Sequence, residues 1–229
     1  MAAKIPDHKA YKMLEKFRIP VVRHTLAKSF DDVAAFAKHS GYPVVLKIDS
    51  PGVIHKRKAG CMDIVYEERH LKRSYDKIIS NAKTITHDID GVIAQEFVHG
   101  QEVIIGMRND VQFGHVIMFG TGGVLAESTH DVSFRLIPLD RRDAEEMIKD
   151  TKIYTVLNQM KPLMKKIEVS SLAIRTPFSE NFVEKTADII LKVAKIATKH
   201  PKLSEMDINP LMVHETGVAA ADVRMIVSN

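Results

Sequence analysis

The sequence predicts an α+β fold with mixed sheets, and three observations predict it. Apolar residues recur at helical spacing in several separate stretches, three short strand-like runs follow one another between Val92 and Phe119, and the chain closes on two more around Thr216-Gly217. Strands that succeed each other so closely pair antiparallel, which a purely parallel doubly wound fold would not show. The 229 residues amount to one large domain or two small ones, ample for a buried core. With 45% hydrophobic and 27% charged residues, the disordered and fibrous classes are excluded.

The elements follow in order. Ala10, Met13, Leu14 and Phe17 share a helical face and Pro20 stops the helix, predicted over roughly residues 7–18. Ser29 with Asp32 resembles a capping box ahead of Val33, Phe36 and Ala37, and Gly41 stands where a helix C-terminal glycine belongs. PVVLKI, Pro43 to Ile48, is a strand broken by Asp49-Ser50-Pro51-Gly52, and Leu71, Tyr75, Ile78, Ile79 and Ala82 mark a third helix. Val92 to Val98, Glu102 to Met107 and Gln112 to Phe119 read as an antiparallel meander turning at His99-Gly100 and Asn109-Asp110. Helices return near Arg142 to Leu157 and, with Ser179 as N-cap, from Glu180 to Lys199. SEMDINPLMV and VAAADVRMIV are the closing strands, and the chain has no internal repeats or low-complexity tracts.

A net charge of +4 suggests anionic ligands such as phosphates without demanding nucleic acid, and nine Phe and five Tyr show no basic–aromatic interleaving. One cysteine, Cys61, makes no intrachain disulfide, and the start MAAKIPDHKAYKMLEKF has neither the apolar core nor the cleavage site of a secretory signal. No apolar run approaches the ~20 residues that span a bilayer. The expectation is a cytoplasmic protein without membrane insertion.

Four places could carry chemistry. Lys47 stands mid-strand among apolar residues, where an ammonium needs either an anion such as phosphate or the solvated side of an edge strand. GVIHKRKAGC follows, in which His55 precedes Lys56, Arg57 and Lys58; such a loop wraps phosphate with cations and amides, or is simply solvated. Gly120, Gly122 and Gly123 interrupt two apolar runs and permit either a ligand's close approach or tight turns, and nearby Glu127, Asp131 and Arg135 combine both charge signs, as a surface ion pair also would. Finally, the strand period puts Glu205, Asp207 and Asn209 on one face, opposite Met206 and Ile208. With a two-residue turn at Thr216-Gly217, Leu211 faces Asp222, which is then a diagonal neighbour of Asn209 at about 7–8 Å, near enough to share one Mg²⁺. An exposed polar strand face is the other reading.

Taken in order, PVVLKIDSPGVIHK, QEFVHGQEVIIG, FGHVIMFGTGGVLAE, DVSFRLIPL and EMDINPL with ADVRMIV closely resemble the ATP-grasp β subunit, or domain, of ADP-forming acyl-CoA synthetases of the acetyl-CoA synthetase type. The match covers almost the whole chain. It implies an ATP-grasp fold whose two α/β subdomains, with mixed and antiparallel sheets, clamp Mg-nucleotide: residues 20–96 with Lys47 and the His55 loop, and residues 1–19 plus 97–229 with the metal-binding strands. It also implies a ligase that interconverts acyl-CoA, ADP and phosphate with acid, CoA and ATP through phosphohistidine. On the matching positions Lys47 would hold the ATP phosphates, Gln95, Glu96 and Val98 of QEFV would form the hinge at the adenine, and Glu102 would accept from the ribose hydroxyls. Asp207, Asn209 and Asp222 would bind Mg²⁺, His55 would carry the phosphoryl group, and Arg135 is counted with it as catalytic.

The resemblance further implies an α subunit carrying the CoA-binding and acyl-transfer domains, in an α2β2 heterotetramer, since no GxGxxG fingerprint is present here. The chain departs from the family pattern at Lys58 and Cys61 in the histidine loop, at Asn158 to Lys161, and at Arg18, where a glycine is usual. The rival readings are another ATP-grasp ligase that activates a carboxylate directly, which has no use for His55, and a nucleotide-sensing regulatory module, against which Lys47, Asn209 and Asp222 together argue.

Overall fold

The computed structural model describes residues 2–123, 130–167, 181–214 and 217–228 and, outside residues 160–167, their side chains. The elements are β1 (Ala3–Lys4), α1 (Asp7–Lys16), β2 (His24–Ala27), α2 (Phe30–Ser40), β3 (Val44–Asp49), β4 (Met62–Val65), α3 (Glu68–Lys83), β5 (Gly91–Glu96), β6 (Gln101–Asp110), β7 (Gly114–Thr121), β8 (Val132–Leu136), α4 (Arg141–Lys149), α5 (Lys152–Ile167), α6 (Phe182–Lys199), β9 (Leu203–His214), β10 (Gly217–Ala220) and β11 (Val223–Val227). They divide into two compact units: residues 3–13 with 22–98, and residues 1–2 and 14–21 with 99–229. Residues 3–13 thus side with the smaller unit, whereas residues 1–19 were expected with the larger one.

The smaller unit is an antiparallel sheet of order β2-β5-β3-β4. Period-two alternation sends Val44, Leu46, Ile48, Val92 and Ala94 to one face, where they build a buried core with Val33 and Ala37 of α2 and Leu71, Ile78 and Ala82 of α3. The capping box of Ser29 and Asp32 and the C-terminal Gly41 frame α2 as predicted. Val45, Lys47, Asp49, Ile93 and Gln95 take the other face, onto which the first turns of α1 fasten.

The larger unit contains a sheet of order β11-β9-β6-β7-β8, with β10 also pairing β9, antiparallel throughout. Ile105, Met107, Ile117, Phe119, Met206 and Ile208 are buried on one face, and α4, α5 and α6 pack on this sheet. The opposite face carries Gly106, Arg108, Glu205 and Asp207. No helix among the described residues is long and apolar enough to cross a membrane.

Several expectations are corrected. The three runs between Val92 and Phe119 are not one meander, because β5 pairs β2 and β3 in the smaller sheet and His99-Gly100 carry the chain from one unit to the other. The meander is β6-β7-β8. Strands β2, β4 and β8 give no recognisable pattern in the sequence: two are only four residues long, and β8 turns Val132, Phe134 and Leu136 outward while burying Ser133. The single helix expected near 142–157 is two, parted at Asp150-Thr151, and Asp131 opens the second by accepting the amides of Lys152 (2.7 Å) and Ile153 (2.8 Å). Asn181 flanks α6, and Ser179 lies outside the described residues.

Candidate functional site

In the smaller unit, Lys47 is 1% exposed and β3 lies between β5 and β4, so the solvated-edge reading fails. Its ammonium donates to the Tyr11 hydroxyl at 2.9 Å, and that hydroxyl lies 3.3 Å from Gln95 Oε1. Tyr11 and Gln95 are buried as well, and the Tyr11 ring stands 4.5 Å from that of His24. Asp49, on the same strand face, accepts the amides of Asp7 (2.8 Å) and His8 (3.2 Å), which caps α1 from outside its own chain segment. His8, Asp49 and Asp90 place three ligand atoms within 4.8 Å of one another, but both Asp49 oxygens are already engaged by α1. Glu96 accepts the Arg23 amide at 2.9 Å and its guanidinium at 3.0 Å, and Val98 is half-buried.

The His55 loop is fastened on both sides. Lys4 donates to the carbonyls of Ser50 (3.1 Å) and Val53 (3.0 Å), and Val53 is buried. Beyond the histidine, the Cys61 amide donates to the Lys56 carbonyl at 2.8 Å, the Asn81 side chain holds the Gly60 carbonyl at 2.8 Å, and the Cys61 side chain enters the core. Burial pushes the Cys61 thiol above its ordinary range. His55 itself is exposed. The expectation that Lys56, Arg57 and Lys58 together offer cations to a phosphate is corrected at Lys56, whose ammonium is buried 2.5 Å from Asp7. Lys4 reaches the same carboxylate at 3.0 Å.

In the larger unit, β9 bulges: Val103 pairs Leu211 and Ile105 pairs Ile208, so Asn209 and Pro210 together stand opposite Ile104. Proline, which has no amide hydrogen to give a ladder, is tolerated at such a place. The expected diagonal register is replaced by a closer one, in which the Asn209 amide donates to the Asp222 carbonyl at 3.1 Å. Gly217 pairs directly with His214, while Thr216, the expected turn residue, lies outside the described residues. Two residues on, Asp207 faces Arg224. Burial, with Asp222 and Glu205 adding repulsion against the pull of Arg224, raises the Asp207 carboxyl to about 6, and its Oδ1 is buried without a hydrogen-bond partner among the described residues.

The glycine-rich segment joins this group. The Gly122 amide donates to the Glu102 carbonyl at 3.0 Å and the Gly123 amide to Asn209 Oδ1 at 2.9 Å. A Cβ on Gly122 would stand 2.5 Å from the Val103 backbone, and one on Gly123 only 1.4 Å from Glu102 Oε2. The unit therefore brings together Glu102, Asp207, Asn209, Asp222 and the glycines. Arg135 stands apart on β8 in a 2.6 Å ion pair with Asp150, and Glu127 lies outside the described residues. Sequence reasoning missed Tyr11, Asp7 and Asp49, and only the tyrosine's place on the apolar face of α1 hinted at burial.

The oxygen donors of Asp207, Asn209 and Asp222 suit a hard divalent cation, and an orphaned buried carboxylate oxygen is the kind of group such an ion would satisfy. An ATP-grasp domain family matches residues 2–227. The β subunit of acetate–CoA ligase (ADP-forming) I from Pyrococcus furiosus is 36% identical over 225 residues, 96% of this chain and 90% of that one. Acetate–CoA ligase (ADP-forming) I from Archaeoglobus fulgidus is 37% identical over 218 residues, 94% of this chain, which spans 30% of that longer protein. The crystal structure of PH1788 from Pyrococcus horikoshii superposes with a TM-score of 0.83 at 34% identity, covering 99% of this chain and 92% of that one. Similar too, at TM-score 0.75, 31% identity and 99% and 93% coverage, is the dinucleotide-forming acetyl-coenzyme A synthetase 1 of Ca. Korarchaeum cryptofilum. That structure holds coenzyme A and Mg-AMPPCP, with its phosphohistidine segment pointing towards the nucleotide binding site. By fold, by the glycine-backed acidic group and by likeness along nearly its whole length, the chain belongs to the ATP-grasp family, in the branch that holds the β subunits of ADP-forming acetate–CoA ligases.

Proposed function

We propose that the chain is the nucleotide-binding β subunit of an ADP-forming acyl-CoA synthetase, interconverting acyl-CoA, ADP and phosphate with free acid, CoA and ATP through phosphohistidine. The observation that carries this reading is the placement of His55: exposed, in a loop fastened on both sides, in a chain that matches an acetate–CoA ligase β subunit over 90% of its length. A ligase that forms acyl phosphate directly has no role for such a histidine.

The roles follow from chemistry. Lys47 is a fixed cation for nucleotide phosphates, with Gln95 and Val98 at the base and Glu102 accepting from the ribose. Asp207, Asn209 and Asp222 would hold Mg²⁺, which when bound neutralises phosphate charge. A ring nitrogen of His55 attacks the transferring phosphorus; an N–P bond forms as the bond to the ADP oxygen breaks, and the exposed Arg57 and Lys58 offset the arriving charge. CoA binding and acyl transfer belong to a partner, an α subunit in an α2β2 assembly, as the longer Archaeoglobus relative suggests by carrying additional sequence. The working compartment is the cytoplasm.

The test is to copurify the chain with its partner, supply γ-labelled ATP and map acid-labile phosphate by peptide. Label on the His55 peptide, lost together with acyl-CoA-dependent ATP formation in His55→Ala, is expected. Labelling and turnover that survive His55→Ala would refute the relay.

A further inference from the structure

We infer that Tyr11 is a positioning residue for Lys47, holding its ammonium where the nucleotide phosphates are bound. The inference rests on the reading of Lys47 as the phosphate-binding cation.

The polarity of the contact is forced. An ammonium has only donors, so at 2.9 Å the Tyr11 oxygen must accept from Lys47 Nζ, and the phenolic proton has to go elsewhere. Gln95 Oε1, 3.3 Å away, is the acceptor that takes it. Lys47 pairs Ile93 across the β3–β5 ladder and Val45 pairs Gln95, so Lys47 and Gln95 are diagonal neighbours on one sheet face. Tyr11 closes over that diagonal from α1. Its ring fixes the hydroxyl in turn: Tyr11 is fully buried, the Lys47 ammonium lies 5.5 Å from the ring centroid, and the ring leans on His24, itself tied to the Val22 carbonyl at 2.9 Å.

A lysine stem has four rotatable bonds and loses much freedom when its head is fixed. Without the hydroxyl, one of the bonds that order the stem is gone, the nucleotide must make up that order, and binding weakens. The hydroxyl therefore adds to phosphate affinity without touching phosphate. Tyr11→Phe keeps the ring and deletes only the oxygen, so the effect is separable from packing.

The measurement is calorimetric titration of the full chain with Mg-ADP and, separately, with adenosine. Tyr11→Phe is expected to weaken Mg-ADP binding by about tenfold, the worth of one charge-assisted hydrogen bond. Adenosine, which offers Lys47 no phosphate, should bind both proteins alike. In a Lys47→Ala background the same tyrosine change should cost less than about twofold. The inference is overturned if Lys47→Ala weakens Mg-ADP while Tyr11→Phe does not, a result that leaves the nucleotide site standing. It is overturned equally if the loss from Tyr11→Phe persists in the Lys47→Ala background or extends to adenosine, either of which would make Tyr11 a fold residue. Should Lys47→Ala itself leave Mg-ADP affinity unchanged, the site assignment fails, and the inference with it.

Discussion

The Gly123 amide donates to Asn209 Oδ1 at 2.9 Å, so the end of the glycine-rich segment and the bulge of β9 are bonded to each other. The same glycine, at φ +67°, leaves the room that the Glu102 carboxylate fills. Gly123→Ala should therefore displace Glu102 and strain the backbone together. The expected outcome is a ten- to hundredfold loss of Mg-ADP affinity, on the order of 1.5–3 kcal/mol, read by calorimetry. An alanine variant with parental affinity would remove Glu102 from the site.

Asp207 makes stability depend on pH. Its folded value of about 6 exceeds the ordinary 3.8, so the protonated form is favoured by folding. That stability is fully present below pH 3.8 and is lost as pH rises through about 6. Asp207→Asn should match the parent in urea melts near pH 4 and exceed it at pH 8 by about 2 kcal/mol. Parallel profiles at both pH values would show that the carboxyl is not perturbed.

Arg18, two residues past the end of α1, has φ +57°, in the left-handed region that favours glycine. The positive φ makes the Arg18 Cβ crowd the backbone. Arg18→Gly should raise stability by about 1 kcal/mol in thermal or urea melts. A destabilised variant would mean that the arginine stem contributes more by packing.

The Lys56–Asp7 pair is the clasp of the histidine loop. Lys56→Met keeps the stem and removes the charge, leaving Asp7 with Lys4. Hydrogen exchange across residues 53–60 should accelerate at least tenfold, and trypsin should cut sooner after Arg57. Asp7→Ala should be worse, by about 3–5 kcal/mol of global stability, because it removes the carboxylate that two buried ammonium groups share. Unchanged exchange in Lys56→Met would show that the clasp does not hold the loop.

Local pattern carried the helices and the sheet faces, because a capping box, a helical stripe and a period of two are written in neighbouring residues. The register at Asp222 was not legible. It depends on where the hairpin turns and on the Asn209-Pro210 bulge, and a bulge has no composition of its own. Lys47 was ambiguous for a related reason: the strand is apolar either way, and only the order β2-β5-β3-β4 makes it central. The smaller unit's claim on residues 3–13 rests on Asp7, His8 and Tyr11 meeting partners 36 to 84 positions away, and nothing in a local window announces such pairs.

The fastening of Lys56 also sets a leash length for its neighbour. Consecutive Cα atoms are about 3.8 Å apart, so while the Lys56 Cα stays in place the His55 Cα is confined to a sphere of that radius. The largest displacement open to it is about 7.6 Å, the diameter, and the bond to the Ile54 side of the loop, pinned at Val53, trims even that. Within this leash an imidazole can turn to face a different partner but cannot ferry a phosphoryl group between distant sites. A longer excursion requires the ammonium to leave Asp7, which makes an inward-facing salt bridge the catch of an outward-facing histidine.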